Sequence, residues 1–492
     1  MSYVLIVLFW LVALYAFVSR GPVLLYLFFI TIPLGSFAVV PAELTGGLTF
    51  TAQPILSLLL IARVLATKGG ADFMLTGALR LKRMGLLADF WLVCLLTTAM
   101  MPFLFRGLVE VIPFRGDDLS EAVLLAPTVQ NISQLTYLSI SIFSIFALSL
   151  ILRSKSDRQI ALKALCWGAA VTVLTGLVDY ATQYLPIEFL LTPFRTASYA
   201  LLTDVEVMGG KRVIGLMPEA SSYGSVSLAF LAATLFFRRA MVDPFYRNLF
   251  APVVIVLTAL FCFLSTSSAT YLGLIILAVA FAGDSLVRAF MAGREARSQR
   301  GGLIGELNII VGAIILIGFV ALIQPDVLNP VYDLFDRMVL QKTDSASFEE
   351  RGYWRATAAA AVWDTYGLGV GVGSTRSSSN FVAIFAATGV LGGLLFYGFV
   401  IQTLARGGKF IDEEGRRMIS AFRLSYLPTF VLSLLIGGSN IGPLTVFGLG
   451  LVTAVAFDRN SQRLVQVRRV PRAKHRGRAR PDYGPGIAPE AG

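Results

Sequence analysis

Two stretches of this chain place arginine beside carboxylate and aromatic side chains, a combination suited to holding an oxyanion next to an apolar surface. In SFEERGYWRATAAAAVWDTYG (347–367), Ser347 and Glu350 have capping-box spacing, the alanine run favours helix and Gly367 supplies a stop. Arg351 and Arg355, four residues apart, then share a helix face, with Trp354 and Val362 close to it and Ala358 between them. The planar guanidinium fork offers phosphate two parallel donors, and an indole beside it suits the apolar face of a sugar or a lipid. The same pattern also fits an interfacial helix with snorkelling arginines and a belt tryptophan. In GGKRVIGLMPEASSYGS (209–225), Lys211 and Arg212 come first, Pro218 suits a first helical position, and Glu219 opens the helix, where a carboxylate gains from the dipole.

Two smaller cues accompany these. GLGVGVGSTRSSSN (367–380) has glycines at 369, 371 and 373 that would let backbone approach a ligand, or simply form a flexible loop. It has no dinucleotide-binding spacing, and Arg376 and Asn380 stand as polar groups at the mouth of the next helix. FLSTSSATYLG (263–273) clusters hydroxyls in a short turn, which helix capping explains. No Asp-x-Asp or histidine cluster is present, so no metal or other cofactor is implied; the one histidine is His475.

The elements that position these residues are membrane helices. The chain has 492 residues, 56% hydrophobic and 14% charged, against about 25% charged in soluble domains. Apolar runs near the ~20 residues needed to cross a bilayer recur throughout. They predict an all-α, polytopic integral membrane protein with about 12–14 spans and a large extracytoplasmic loop containing short helices. Spans are expected near 3–18, 22–40, 51–66, 86–105, 133–152, 160–179, 219–237, 250–264, 269–287, 304–323, 380–404, 421–437 and 441–457. The first is expected to be a retained helix, since no basic leader or clear small-residue cleavage site accompanies it. Cys94, Cys166 and Cys262 all fall within apolar runs, so no disulfide is expected.

Most Lys and Arg lie in one set of connections (79–83, 153–158, 236–239, 294–300, 413–417) and in the C-terminal tail. That side is cytoplasmic by the positive-inside rule, and the loop 324–379, with 209–225, faces outward. The net charge of +11 follows from topogenic arginine and needs no nucleic-acid partner. Residues 1–457 read as one multi-span membrane domain. Residues 458–492, basic and then rich in Pro and Gly, read as a disordered cytoplasmic tail in reach of anionic membrane lipid or a cytoplasmic partner.

Taken in order, the segments resemble the O-antigen ligase and polymerase family of bacterial polysaccharide assembly. The resemblance rests on RVIGLMPE (212–219), the hydroxyl turn STSSATYLG (265–273), the RGYW helix (351–354) at the end of a large outer loop, and GVGVG (369–373). Asn380 and the Gly392–Gly393 pair complete it. It covers roughly residues 200–400. It implies a metal-independent, glycosyltransferase-C-like enzyme of the bacterial inner membrane. Such an enzyme uses an undecaprenyl-diphosphate-linked glycan on the outer side and transfers it to an acceptor sugar hydroxyl. A polysaccharide chain-length regulator would be a partner. The sequence departs from the family at Ser379, where the ligase branch typically has histidine, and at the serines of STSSA, where arginine is frequent. The missing histidine favours the polymerase branch.

The chemistry then expected is stabilisation of a departing lipid diphosphate by Arg212 and Arg351. Lys211 and Arg355 lend support, and Trp354, Arg376, Asn380 and Glu350 bind substrate. Glu219 is the carboxylate best placed to orient or deprotonate the acceptor hydroxyl, with Glu350 second. Two alternatives stay open: a ligase-like transfer of glycan to another acceptor, which shares these residues, and a lipid-linked oligosaccharide flippase or transporter. Arg63, Asp179 and Arg423 lie near predicted span ends, and mid-span charge is sparse, which favours a reaction at the surface over a transport path.

Overall fold

The computed structural model describes residues 2–19, 21–40, 45, 48–114, 121–197, 206–207, 210–290, 302–323, 346–407 and 411–457. The side chains of Ser347 and His475, the loop 324–345 and the tail 458–492 lie outside the described residues. The protein is an all-α polytopic membrane protein. Nine helices among the described residues are long and apolar enough to cross a bilayer. In chain order the helices are α1 (Ser2–Val18), α2 (Val23–Ile30), α3 (Ala52–Ala66), α4 (Gly70–Ala78), α5 (Leu86–Leu104), α6 (Val129–Ile151), α7 (Lys155–Ala181) and α8 (Ala220–Phe237). They continue with α9 (Ala251–Leu264), α10 (Ser268–Phe290), α11 (Leu303–Ile323), α12 (Ala346–Asp364), α13 (Asn380–Ala405), α14 (Glu413–Ile436) and α15 (Pro443–Ala456). Among the described residues three short antiparallel strand pairs lie in the connections.

Two expected spans take other forms. The run 22–40 does not cross as one helix. It holds only the eight residues of α2 before turns and the strand Ala38–Val40. Eight residues rise about 12 Å, short of the ~30 Å hydrocarbon core. The run at 51–66 continues into α4 through a bend of 103°. Gly69 takes φ of +79°, and a Cβ on Gly70 would lie 1.8 Å from the Val64 carbonyl oxygen, so this corner requires both glycines. α1 and α15 are apolar but shorter than the nine.

α8 is the most enclosed span, 72% buried, and packs against α7, α9, α10 and α14; α11 is peripheral, 17% buried. Around α8 the core is aromatic: Phe29 and Phe237 both pack on the Phe447 ring of α15. The three cysteines are buried and free. Alternation of the helices brings the C-termini of α5, α7, α9, α11 and α14 and the N-termini of α6, α8, α10, α13 and α15 to one end of the bundle. The candidate residues gather there.

Candidate functional site

The turn that carries Arg212 is built on a carboxylate the sequence did not single out. Asp179, fully buried in the last turns of α7, accepts from the backbone N–H groups of Ile214 (2.8 Å) and Gly215 (3.1 Å). The same carboxylate pairs with Arg195 at 3.2 Å and Lys211 at 3.3 Å. A buried carboxylate holding two amides and two cations is satisfied on every side. Lys211, which also donates to Thr182 Oγ1 at 2.7 Å, is therefore engaged in this clamp rather than extended toward a substrate. Gly215 takes φ of +56° with Tyr223 against it, and the Tyr223 hydroxyl donates to the Thr172 carbonyl.

Arg212 crosses to the hydroxyl turn between α9 and α10. Its Nε donates to Thr266 Oγ1 at 3.1 Å and its Nη2 to the Thr266 carbonyl at 3.2 Å. Thr266 holds φ of +46°, an uncommon conformation for a β-branched residue, and this presents both its acceptors to the arginine. The turn thus does more than cap a helix: it fixes the guanidinium plane, and no described residue accepts a hydrogen bond from Nη1. Burial pulls the Arg212 guanidinium below its ordinary value, while the Glu219 carboxylate acts in the opposite direction. Glu219 stands at the N-cap position of α8 without a side-chain bond to the helix N–H groups, and its Oε1 accepts from the hydroxyls of Ser221 and Ser222.

The glycine run is not a free loop. Gly367, Gly369, Gly371 and Gly373 all have φ between +79° and +90°, with Val370 and Val372 fully buried between them. A Cβ on Gly373 would lie 2.4 Å from the Gln130 carbonyl oxygen, and one on Gly369 would lie 2.5 Å from the Gly389 nitrogen. The run is threaded between α5, α6 and a break in α13 at Gly389. Its N–H groups at Val370 and Gly371 donate to Ala386 and Ala387, carbonyls that the break frees. Asn131 on α6 holds it from the other side, donating to the Val372 carbonyl (3.0 Å) and Ser374 Oγ (2.8 Å). Asn131 was legible only as part of a Thr128–Asn131 capping box.

This threaded segment delivers Arg376. Its backbone N–H donates to the Ile112 carbonyl, and its half-buried guanidinium stacks on the Trp354 ring at 3.9 Å. Burial lowers it, with the Glu350 and Glu219 carboxylates opposing. Glu219 therefore lies within electrostatic reach of both Arg212 and Arg376, which come from segments far apart in the chain. No described residue accepts a hydrogen bond from the Arg376 guanidinium, and the buried Trp354 Nε1 has no partner. The buried indole N–H is the group that calls for an acceptor; the half-buried guanidinium reaches solvent.

The helix expected over 347–367 runs Ala346–Asp364, but its faces divide differently. Trp354, Ala358 and Ala361 turn toward the bundle, whereas Arg351 and Arg355 are exposed. Arg351 is tied to the site through its backbone, whose carbonyl accepts from Ser378 Oγ at 2.8 Å. Trp363 and Tyr366, 81% and 89% exposed, provide aromatic surface where α12 ends. Asn380 is engaged in structure: Nδ2 donates to the Gly438 carbonyl at 2.5 Å and Oδ1 accepts from Tyr397 at 2.9 Å. Among the described residues no group of His, Cys, Asp and Glu is arranged to hold a metal ion.

A cavity of about 350 Å³ opens between α8, α14 and α15, lined by Ser225, Ala229, Tyr426, Leu432, Pro443 and Phe447 among others. Ser225 lies on α8 six residues beyond Glu219. No family model matches the chain, and no curated protein matches it.

Proposed function

We propose that this protein polymerises undecaprenyl-diphosphate-linked oligosaccharide repeat units into a surface polysaccharide on the outer side of a bacterial inner membrane, with its C-terminus cytoplasmic. One observation carries the reading. Two half-buried guanidinium groups, Arg212 and Arg376, lie within electrostatic reach of the Glu219 carboxylate without an ion pair to it, and the buried Trp354 Nε1 against Arg376 has no hydrogen-bond partner among the described residues. A diphosphate supplies such a partner, and charge developing on it as it departs is stabilised best in such a poorly hydrated site. The acceptor sugar hydroxyl attacks the anomeric carbon. The bond from that carbon to the phosphate oxygen breaks, and its electron pair leaves with the lipid diphosphate. Glu219, held by Ser221 and Ser222, takes the hydroxyl proton. The Trp354 indole lies beside the sugar, Glu350 and Arg351 stand at the rim, and the cavity along α8 accommodates apolar chain.

The test is chain-length analysis in a strain that relies on each variant, together with localisation of labelled lipid-linked repeats. Arg376→Ala and Arg212→Ala are expected to insert and fold normally yet leave single repeats accumulating on the outer leaflet. Full-length polymer from both variants would overturn the site assignment. Polymer left on the lipid would mark a ligase instead, and repeats retained on the inner leaflet would mark a flippase.

A further inference from the structure

The end of the bundle opposite the candidate site holds a second cationic cluster. Arg83, just before α5, stacks on the Phe73 ring at 4.0 Å, and Arg153, just after α6, lies over the same ring at 5.4 Å. Arg83 and Arg406, the latter closing α13, share the Phe457 ring at 5.7 and 5.3 Å. Arg423 of α14 donates to the carbonyls of Leu404 (2.7 Å) and Arg406 (2.8 Å). Three arginines from separate parts of the chain thus meet around two phenyl rings, and a fourth, Arg423, is tied to the backbone of the third.

Arg406 is 92% buried, since only 8% of its surface is exposed. Its guanidinium donates only to neutral acceptors, Thr453 Oγ1, Gln402 Oε1 and the Arg83 carbonyl, and its Nε is buried with no hydrogen-bond partner. Burial and the neighbouring Arg83 charge pull it down to about 10, so it remains a cation at neutral pH. Arg153, Arg406 and Arg423 form no ion pair with a described carboxylate. Nearby basic residues behave differently: Lys155 pairs with Asp412 at 2.6 Å and Lys163 with Asp243 at 2.6 Å. Topogenic arginines need only reach water. A buried arginine ringed by like charges costs several kcal/mol unless an anion joins it.

We propose that this cluster is a binding site for the phosphodiester headgroup of an anionic phospholipid. The helix ends place it at membrane–water depth, and its charge is complementary to such a headgroup. The lipid neutralises Arg153, Arg406 and Arg423 together and ties the ends of α6, α13 and α14 to one another.

The test uses the full-length protein in phosphatidylcholine mixed micelles titrated with cardiolipin or phosphatidylglycerol. Bound lipid is counted by native mass spectrometry and the thermal midpoint is followed. Anionic lipid is expected to bind and raise the midpoint. Arg153→Gln and Arg423→Gln, whose side chains are not fully buried, are each expected to weaken that binding about fivefold. Lys163→Gln, which removes a paired charge at the same end, is expected to leave it unchanged. Equal midpoints in anionic and neutral lipid, or equal losses in all three variants, would overturn the proposal. So would inorganic phosphate protecting as well as cardiolipin, which would assign the cluster to a soluble anion.

Discussion

Arginine pairs at the two ends of the bundle do opposite things. Away from the candidate site, Arg239 and Arg288 close on Asp284 and Glu306. Arg239 reaches Glu306 at 2.8 and 3.0 Å and Asp284 at 2.6 Å; Arg288 reaches Glu306 at 2.5 Å and Asp284 at 2.9 Å. Two cations meet two carboxylates, each cation pairs with both, and Glu306 is 1% exposed. At the other end Arg212 and Arg376 are half-buried and make no ion pair with a described carboxylate; Glu219 acts on both, and Glu350 on Arg376, only at longer range. A closed network staples the peripheral α11 to α8 and α10, whereas an open one leaves charge for something that arrives from outside.

Removing one member from each pair should separate the two roles. The largest effect is expected for Glu306→Ala, which leaves the buried Arg288 and the partly buried Arg239 with Asp284 as their one remaining carboxylate among these partners. It should lower stability by about 3–5 kcal/mol, seen as a drop in thermal midpoint and in membrane-inserted yield. Arg376→Ala should leave the midpoint close to wild type while chain extension falls about 10²–10³-fold, and Arg376→Lys should recover little, because a point charge lacks the planar fork that stacks on Trp354. Asp179→Asn weakens the clamp on the 211–215 turn and should cost roughly 10–100-fold in extension rate with a smaller loss of stability. Arg351→Ala, at an exposed position, should cost only about tenfold or less by the same assay, since its carbonyl contact to Ser378 survives substitution. An Arg351→Ala variant as inactive as Arg376→Ala would return the former to the centre of the site.

Much of the fold could be read from apolar runs, because a span needs length and hydrophobicity and both are local properties. The failure at 22–40 has a local cause too: mean hydropathy does not register the turns after Ile30, where Ser36 donates its N–H to the Leu216 carbonyl of the Arg212 turn. In the candidate site, residue types were legible and partners were not. Arg212, Glu219, Trp354 and Arg376 stood out as costly polar groups near span ends. That Trp354 would pair with Arg376 instead of Arg351 depends on which way α12 rolls, and the buried Ala358 and Ala361 decide that. Asp179 registered only as an acid near the end of a span and Thr266 only as one hydroxyl of a turn, because a buried clamp and a strained turn are tertiary features. The glycine run misled in an instructive way. Flexibility and close packing ask for the same residue, and here backbone crowding requires Gly369 and Gly373.

The proposed reaction requires Arg212 and Arg376 to act together on one diphosphate. A double-mutant cycle on binding of undecaprenyl diphosphate to the purified protein measures this directly, using wild type, Arg212→Ala, Arg376→Ala and the double variant. Each single substitution is expected to weaken binding at least about tenfold, with the double variant losing less than the product of the two. Affinities unchanged by either substitution, or losses that multiply without coupling, would contradict a shared site.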